Sequence, residues 1–288
     1  MKNILLTGSG GFIGTHIKNQ LSKKFNLFTP RSYQLNLLDK DAVKKYVEDN
    51  NIEYIIHSAS CGVRISPDAT IDEVAKPNIE MFKNLAVLTS KDRPMITIGS
   101  GAEYDKSRPL CKVKESDFGK FIPKDPYGYS KYHISKIIEE RENILNLRLF
   151  GIYGSGEDKS RVTSCIVNSN ISKEPIVLNQ NVKFDFLYID DFCKVIEYFV
   201  NNPTEEKFIN AAPTESIEIL DLAKIVNCFS DYKSEIIVKN SGMNKEYTGD
   251  NKKLLSIIKD FTFTSYEDGM RKFYMEIKKE GLGNDIEK

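Results

Sequence analysis

The sequence of 288 residues predicts an α/β fold, in which helices cover both faces of a doubly wound parallel sheet. Two observations support this prediction. Short β-rich runs alternate with stretches whose apolar residues recur every three or four positions, which is typical of alternating strands and helices. The run Tyr54–His57 is apolar at consecutive positions, as expected for a strand that is buried on both faces.

The alternation is regular as far as residue 150 and looser beyond it. We therefore expect one domain over residues 1–150 and a smaller α/β lobe over 151–288, with a chain that can cross back between them. The predicted strands are Asn3–Thr7, Asn26–Thr29, Tyr54–His57, Met95–Ile98, Asn146–Phe150, Pro175–Leu178, Phe186–Ile189, Phe208–Ala211 and Glu235–Lys239. The predicted helices of the first domain are Thr15–Lys24, Asp41–Asp49, Asn78–Ser90 and Tyr129–Glu142.

Composition excludes several classes of function. Lys plus Arg and Asp plus Glu both total 41, so the chain has no excess positive charge to attract nucleic acid. No apolar run reaches the roughly 18 residues of a membrane-spanning helix. The five cysteines are scattered without C-x-x-C pairs, which argues against a zinc site or a disulfide framework. We expect a cytoplasmic protein that binds no metal.

A glycine-rich loop follows the first predicted strand. Gly8, Gly11 and Gly14 form the pattern T-G-x-x-G-x-x-G, whose glycines allow a tight turn, a close approach to a pyrophosphate and close helix packing. The alternative is a glycine turn that binds nothing. The position between a first strand and a first helix favours a Rossmann-like dinucleotide site, whose helix start, with Phe12 and Ile13, faces the phosphates.

The end of the second strand indicates which dinucleotide is bound. An acidic residue at this place favours NAD, whereas an arginine accommodates the 2′-phosphate of NADP. Arg31 and Ser32 stand here, and no acidic residue occurs before Asp39. The sequence therefore favours NADP(H), with NAD(H) as the alternative if Arg31 is only a solvated surface charge.

Tyr127 and Lys131 are four residues apart at the start of a predicted helix. Asp125 is a suitable N-cap and Pro126 a suitable first helical residue, so both side chains are expected on one helical face. A neighbouring ammonium stabilises a phenolate and lowers the pKa of the tyrosine toward the range useful for proton transfer. The alternative is an ordinary surface pair.

These motifs resemble those of the extended short-chain dehydrogenase/reductase family, which includes epimerases, dehydratases and reductases of nucleotide sugars. The likeness is greatest to the 4-keto reductases of the GDP-fucose synthase and CDP-abequose synthase type. The segments that carry it are TGSGGFIG, IIHSAS, GSGAEY, YGYSK, LNLRLFGIYG, FLYIDD and DNKKLLSIIKDFTFTSYEDGM.

The resemblance implies residue roles. Ser100, which by itself could be a turn residue in GSGAEYD, takes the place of the catalytic hydroxyl, beside Tyr127 as the acid and Lys131 as the group that lowers the pKa of the tyrosine. The implied cofactor-binding residues are Gly8, Gly11, Phe12, Ile13, Gly14, Arg31, Ser32, Asn36, Leu37, Ser58, Ala59 and Lys131.

Departures from the family narrow the implied reaction. Dehydratases carry Asp-Glu directly after the catalytic hydroxyl, where this chain has Gly101 and Ala102. GDP-fucose synthase epimerises with a cysteine at the place of Ala102 and a histidine near that of Arg161. Because neither alanine nor arginine exchanges a proton at neutral pH, we expect reduction without elimination or 3,5-epimerisation. Arg161 and Lys183 are candidate residues for binding the substrate diphosphate.

The leading hypothesis is an NADPH-dependent reduction of the C4 ketone of a nucleotide-linked deoxysugar, for surface-polysaccharide assembly. One alternative is a C4 epimerase with tightly bound NAD, which needs the same three catalytic residues. Another is a dinucleotide-binding sensor without catalysis. The family also suggests a homodimer formed by the helices Asn78–Ser90 and Tyr129–Glu142.

Overall fold

The structure, a computed structural model, describes residues 1–61 and 69–286. Its strands are β1 (Asn3–Thr7), β2 (Asn26–Phe28), β3 (Tyr54–His57), β4 (Met95–Ser100), β5 (Leu110–Val113), β6 (Ile144–Leu149), β7 (Gly151–Tyr153), β8 (Ile176–Asn181), β9 (Lys183–Phe184), β10 (Phe186–Tyr188), β11 (Phe208–Ala211), β12 (Ile217–Glu218), β13 (Ile236–Met243) and β14 (Tyr247–Gly249). Its helices are α1 (Phe12–Leu21), α2 (Lys40–Asp49), α3 (Ile71–Ala86), α4 (Pro126–Glu139), α5 (Val162–Ile171), α6 (Ile189–Asn201), α7 (Ile219–Phe229), α8 (Lys252–Ile257) and α9 (Tyr266–Ile286).

The main sheet has six parallel strands in the order β2-β1-β3-β4-β6-β11. This order confirms the predicted α/β class. The order reverses between β1 and β3, and ligands of such sheets bind at the carboxyl ends of the strands beside this reversal. Thr7 and His57 are the last residues of these two strands and lie opposite each other in the register.

The sheet is buried by helices on both faces, and alternate residues of β1 show this directly. Ile4 and Leu6 pack into a cluster with Ile17 of α1, whereas Leu5 packs with Phe82 of α3 on the opposite face. Successive side chains of a strand point to opposite faces. The consecutive apolar residues of the strands are therefore explained by burial on both sides.

Several elements of the first half extend beyond their predicted bounds. Helix α1 begins at Phe12 rather than Thr15, and β4 ends at Ser100 rather than Ile98. The third helix begins at Ile71 rather than Asn78, although Pro77 interrupts its hydrogen bonding. Thr70 and Glu73 form a reciprocal capping box that stabilises the earlier start. The fifth predicted strand begins at Ile144, two residues before Asn146.

The chain crosses back into the main sheet after residue 151, because β11 pairs with β6. The remaining strands form smaller sheets, of which the largest has the order β12-β9-β14-β5. Its strand β5 comes from the first half of the chain, between β4 and α4. No helix within the described ranges is long and apolar enough to span a bilayer.

Candidate active site

The loop between β1 and α1 is shaped by contacts that require two of its glycines. Gly8 has a φ of +69°, and a Cβ on it would lie 2.6 Å from the backbone nitrogen of Ala59. A Cβ on Gly14 would lie 2.1 Å from the carbonyl oxygen of Gly8. Side chains at these two positions would therefore break the turn and the contact between α1 and the loop. The same contact places Ser58 and Ala59 against the loop.

Gly11, unlike Gly8 and Gly14, has room for a side chain. A Cβ on Gly11 would meet only the Gly8 carbonyl oxygen at 3.5 Å, which is an ordinary contact. Gly11 is also the N-cap of α1, and it has no side chain that could accept a hydrogen bond from the first helical N–H groups. Phe12 and Ile13 carry two of these N–H groups. Such a helix start binds anions, so the residues present fit the pyrophosphate of a dinucleotide.

Arg31 lies across the same loop. A Cβ on Gly10 would stand 1.6 Å from Arg31 Nη1, so the guanidinium occupies the space over the α-carbon of Gly10. Arg31, Ser32 and Asn36 are exposed, and Arg31 forms no ion pair with another described residue. The carbonyl of Leu37 is fixed by a 2.9 Å hydrogen bond from Asn84. Of these residues, Arg31 is the one whose contact places it at the rim of the glycine loop.

Ser100, Tyr127 and Lys131 come together at the carboxyl end of β4. Asp125 caps α4 by accepting a 3.0 Å hydrogen bond from the Gly128 N–H, which confirms the predicted helix start. The Ser100 side chain lies close enough to Tyr127 to lower the pKa of its phenol. Lys131 Nζ lies 5.8 Å from the centre of the Tyr127 ring and donates a 2.7 Å hydrogen bond to the carbonyl of Ile98.

Burial controls the protonation of this group. It raises the pKa of Tyr127, and the nearby Ser100 side chain acts in the opposite direction. It lowers the pKa of Lys131 to about 8, against the raising effect of the Glu103 carboxylate. Burial and the Lys131 ammonium together lower the pKa of His57 to about 3, so His57 is neutral at physiological pH. Its Nδ1 lies 2.9 Å from Thr7 Oγ1.

A buried ion pair that could not be predicted from the sequence lies beneath Ser100. Glu103 accepts hydrogen bonds from Arg148 Nε at 2.6 Å, from the Ser135 hydroxyl at 2.5 Å and from the Ser100 N–H at 3.0 Å. Glu103 and Arg148 are both fully buried. The pair thereby ties β4, α4 and β6 together directly behind Ser100. The sequence signal for this ion pair was a charged residue inside each of two apolar segments, GSGAEY and LNLRLF, because charged residues are rarely buried without a partner.

Tyr247 of β14 is a second site residue that sequence analysis missed. Its hydroxyl lies beside Gly101, where a Cβ would be 2.8 Å from the hydroxyl oxygen. Its position could not be inferred from local sequence, because it depends on the pairing of β14 with β5.

The two predicted substrate residues are placed differently. Arg161 is the N-cap of α5, and its charge acts on the pKa of Tyr127, lowering it against the larger raising effect of burial. Glu157 lies nearby, and burial raises its pKa to about 7. Lys183 is exposed on β9, on the small sheet beside Cys111. Its role in substrate binding stays a prediction.

Comparison with known proteins agrees with this geometry. A model described as the NAD dependent epimerase/dehydratase family matches residues 4–212. An ADP-L-glycero-D-manno-heptose-6-epimerase of Brachyspira hyodysenteriae is 26% identical, over 96% of this chain and 98% of the relative. A GDP-L-colitose synthase of Yersinia pseudotuberculosis is 24% identical, over 83% of this chain and 85% of the relative.

The fold is also found in a solved structure. A GDP-D-glycero-L-gluco-heptose synthase of Campylobacter jejuni, crystallised in the presence of NADPH, superimposes with a TM-score of 0.82 at 18% identity, and the match covers 96% of this chain and 98% of that one. The family resemblance inferred from the motifs is confirmed, and the chain belongs to the NAD dependent epimerase/dehydratase family.

Proposed function

We propose that the protein reduces the C4 ketone of a nucleotide-linked deoxysugar with NADPH, without 3,5-epimerisation. The observation that carries the proposal is the convergence of Ser100, Tyr127 and Lys131 at the carboxyl end of β4. This edge of the sheet also carries the glycine loop, which follows β1. A protein that only sensed a dinucleotide would not need all three side chains.

Each residue has a role in handling a proton. Bound NADPH supplies the hydride. Ser100 donates a hydrogen bond to the ketone oxygen, and Tyr127 transfers its phenolic proton to that oxygen as negative charge develops there. Lys131, protonated below about pH 8, stabilises the resulting Tyr127 phenolate by its positive charge. The phenolate takes a proton from water after the alcohol product leaves.

Epimerisation or elimination would need a further group that removes a proton from carbon. Gly101 and Ala102 follow Ser100, and neither carries a group that exchanges protons. Arg161 provides a positive charge near Tyr127 but stays protonated. We infer that it attracts the substrate diphosphate and does not act as a base.

The preference for NADPH rests on Arg31, which lies over Gly10 at the rim of the loop. Structures of this fold include one crystallised in the presence of NADPH and one in complex with NAD, so the proposed preference depends on Arg31 alone. A relative described as an epimerase keeps the second hypothesis open. A C4 epimerase would use Ser100, Tyr127 and Lys131 with an NAD that is regenerated in each turnover.

An absorbance assay distinguishes these functions. The purified protein is mixed with NADPH and each member of a panel of nucleotide 4-keto-6-deoxysugars, and NADPH oxidation is followed. We expect oxidation with at least one member, and an unchanged configuration at C3 and C5 by NMR of the product. No oxidation with any member would contradict the reductase. Interconversion of nucleotide sugars without added cofactor would establish the epimerase, and cofactor binding without either activity would favour the sensor.

Two tyrosines of α4 provide a matched pair for this assay. Tyr127→Phe is expected to lower kcat by about 100-fold or more, because general acid catalysis contributes at least that much. Tyr129→Phe makes the same change on a ring that packs against His133, and it should leave kcat within about twofold. Equal effects of the two substitutions would remove Tyr127 from the mechanism.

We also propose a homodimer formed through α3 and α4, which contact each other on one face of the sheet. Light scattering at micromolar concentration should give twice the mass of 32.8 kDa that the chain has. A mass equal to that of one chain would contradict the dimer.

A further inference from the structure

The turn that follows β4 holds Ser100 by two hydrogen bonds. It is a single 3₁₀ turn over Gly101–Tyr104, and Ser100 is its N-cap. The Ala102 N–H donates a 3.1 Å hydrogen bond to Ser100 Oγ, and the Ser100 N–H donates a 3.0 Å hydrogen bond to Glu103 Oε1. This reciprocal capping box fixes the backbone and the side chain of Ser100 together. The place of the Ser100 hydroxyl therefore depends on how the turn is anchored.

Arg148 of β6 anchors two consecutive residues of this turn. Its Nε donates to Glu103 Oε2 at 2.6 Å, and its Nη1 donates to the Tyr104 hydroxyl oxygen at 2.9 Å. Arg148, Glu103 and Tyr104 are all buried. Because a guanidinium has donors but no acceptor, the Tyr104 hydroxyl must accept in this bond, and its own proton is available for another partner.

The partner of the Tyr104 proton is Asn210 of β11, which is also buried. The Tyr104 hydroxyl donates to Asn210 Oδ1 at 2.8 Å. Asn210 Nδ2 donates in turn to the carbonyl oxygens of Val113 at 2.9 Å and Asp250 at 3.3 Å. Every bond from Arg148 onward is therefore donated in the same direction, and hydrogen bonds aligned in this way strengthen one another.

This hydrogen-bond chain ends on the small sheet. Val113 is the last residue of β5, and Asp250 directly follows β14. The Asp250 N–H also donates to the Val113 carbonyl at 2.8 Å, which holds the two strand ends together. At the other end of the chain, Gly99, Arg148 and Asn210 lie side by side in the register of β4, β6 and β11. The chain thus links the small sheet to the turn that holds Ser100.

We propose that Tyr104 is a positioning residue whose hydroxyl fixes the carboxyl ends of β5 and β14 relative to Ser100. This inference rests on the proposed function of Ser100, whose hydroxyl has to meet the ketone oxygen. The Tyr247 hydroxyl of β14 lies beside Gly101, so a shift of the small sheet would change the space next to Ser100. Tyr104 acts through its hydrogen bonds and exchanges no proton during turnover.

The ring of Tyr104 is held independently of its hydroxyl group. It stacks on the Phe150 ring at 6.2 Å between centroids, and it packs in one apolar cluster with Leu110 and Ala212. A phenylalanine at this position would keep these contacts. It would leave Arg148 Nη1 and Asn210 Oδ1 without the hydroxyl that joins them.

Tyr104→Phe tests the inference, because it breaks the chain and keeps the ring. We expect kcat to fall by about 5- to 10-fold, as for the loss of about one hydrogen bond, with the KM for NADPH unchanged. In a Ser100→Ala background the same substitution should change kcat by less than about twofold, since the hydroxyl that it positions is already gone. Equal effects in both backgrounds, or no effect in the wild type, would overturn the inference.

Tyr54→Phe is the matched control. Tyr54 is buried at the amino end of β3, and its hydroxyl donates a 3.2 Å hydrogen bond to the carbonyl of Phe199, so its loss should leave kcat unchanged. Circular dichroism and thermal unfolding test whether each variant keeps the fold. Asn210→Ala breaks the same chain from its other end, and its effect on kcat should not add to that of Tyr104→Phe in the double variant. Additive effects would show that Tyr104 does not act through Asn210.

A second measurement does not depend on the substrate. The N–H groups of Ser100 and Ala102 form the capping box, so their hydrogen exchange, followed by NMR, reports local opening of the turn. In Tyr104→Phe both should exchange at least about 5-fold faster, while the N–H of Ile166, buried in α5, keeps its rate. Tyr54→Phe should change neither Ser100 nor Ala102.

The exchange rates separate the possible failures. Unchanged exchange at Ser100 and Ala102 in Tyr104→Phe would overturn the positioning role even if no substrate is reduced. Equal acceleration at Ile166 would show a general loss of stability and would also overturn it. Acceleration confined to the turn, combined with no NADPH oxidation by the wild type, would contradict the proposed reaction alone.

Discussion

The guanidinium of Arg31 covers the α-carbon of Gly10, so closely that a Cβ at residue 10 would stand 1.6 Å from Nη1. The pattern T-G-x-x-G-x-x-G leaves residue 10 unspecified, and this contact supplies the reason for a glycine there. The loop that fits the pyrophosphate and the arginine that is proposed to bind the 2′-phosphate therefore pack as one unit.

Arg31→Asp should weaken NADPH binding far more than NADH binding. A charge-assisted bond to phosphate is worth roughly 1.5–3 kcal/mol, which corresponds to a loss of about 10- to 100-fold in NADPH affinity. NADH should lose less than about threefold. Fluorescence titration of both nucleotides measures this. Lys23→Asp makes the same charge change beyond the other end of α1 and should alter neither affinity. Equal losses for NADPH and NADH would remove Arg31 from the 2′-phosphate site.

Gly10→Ala should reproduce part of this effect without any change of charge. The added methyl group displaces the guanidinium, so we expect about a 3- to 10-fold loss of NADPH affinity at a nearly constant NADH affinity. In the Arg31→Asp background, Gly10→Ala should add little to the loss, since the displaced group is already gone. Additive losses would mean that Gly10 acts on the loop itself.

Glu103→Gln should destabilise the protein strongly, because it leaves the buried Arg148 charge unpaired. Breaking a buried ion pair by removing one partner costs roughly 3–5 kcal/mol, and urea unfolding measures the change in the free energy of unfolding. Glu139→Gln is the control, since Glu139 pairs with Lys136 on the surface of α4, where such pairs contribute about 1 kcal/mol or less. A loss below about 1 kcal/mol for Glu103→Gln would show that the pair is dispensable.

The pH dependence of the reaction should report Lys131. Its pKa is lowered to about 8, so it carries the charge that stabilises the Tyr127 phenolate below that pH and loses it above. We expect kcat/KM for NADPH, which reports groups of the free protein, to fall above about pH 8. Because the Glu103 carboxylate raises this pKa, the fall should begin at lower pH in Glu103→Gln. If kcat/KM fell only near pH 10, the assignment of this pH dependence to Lys131 would be contradicted.

His57 should make the fold sensitive to acid. Its pKa is about 3 in the folded protein and roughly 6.5 in the unfolded chain. The unfolded state therefore binds more protons below pH 6.5, and stability falls as the pH falls. At pH 5 this group alone should cost roughly 2 kcal/mol. The difference in unfolding free energy between the wild type and His57→Gln should shift by that amount between pH 7 and pH 5. Glu157, whose raised pKa favours the folded state in acid, is present in both proteins, so its contribution cancels in this difference. A constant difference would contradict the burial of a neutral His57.

Local pattern was sufficient for much of this molecule. Consecutive apolar runs located the strands of the main sheet, and the glycine spacing located the tight loop between β1 and α1, because both depend on neighbours within a few residues. The contact of the Tyr247 hydroxyl with Gly101 joins positions 146 residues apart and depends on a pairing of short strands that no periodicity reveals. Glu103 and Arg148 were each visible as charges in apolar segments, but the sequence could not show that they are partners.

The small sheet β12-β9-β14-β5 brings together four pieces of chain that are separated by whole helices and strands. Because these strands come from both halves of the chain, neither half expressed alone would form the complete candidate site. The small sheet also allows substitutions near the candidate site that leave the main sheet unchanged. Under the proposed function, substitutions on β9, β12 and β14 would change the surroundings of Tyr247, while Ser100, Tyr127 and Lys131 beside the main sheet stay constant. Relatives with different sugars are then expected to diverge first on these three short strands.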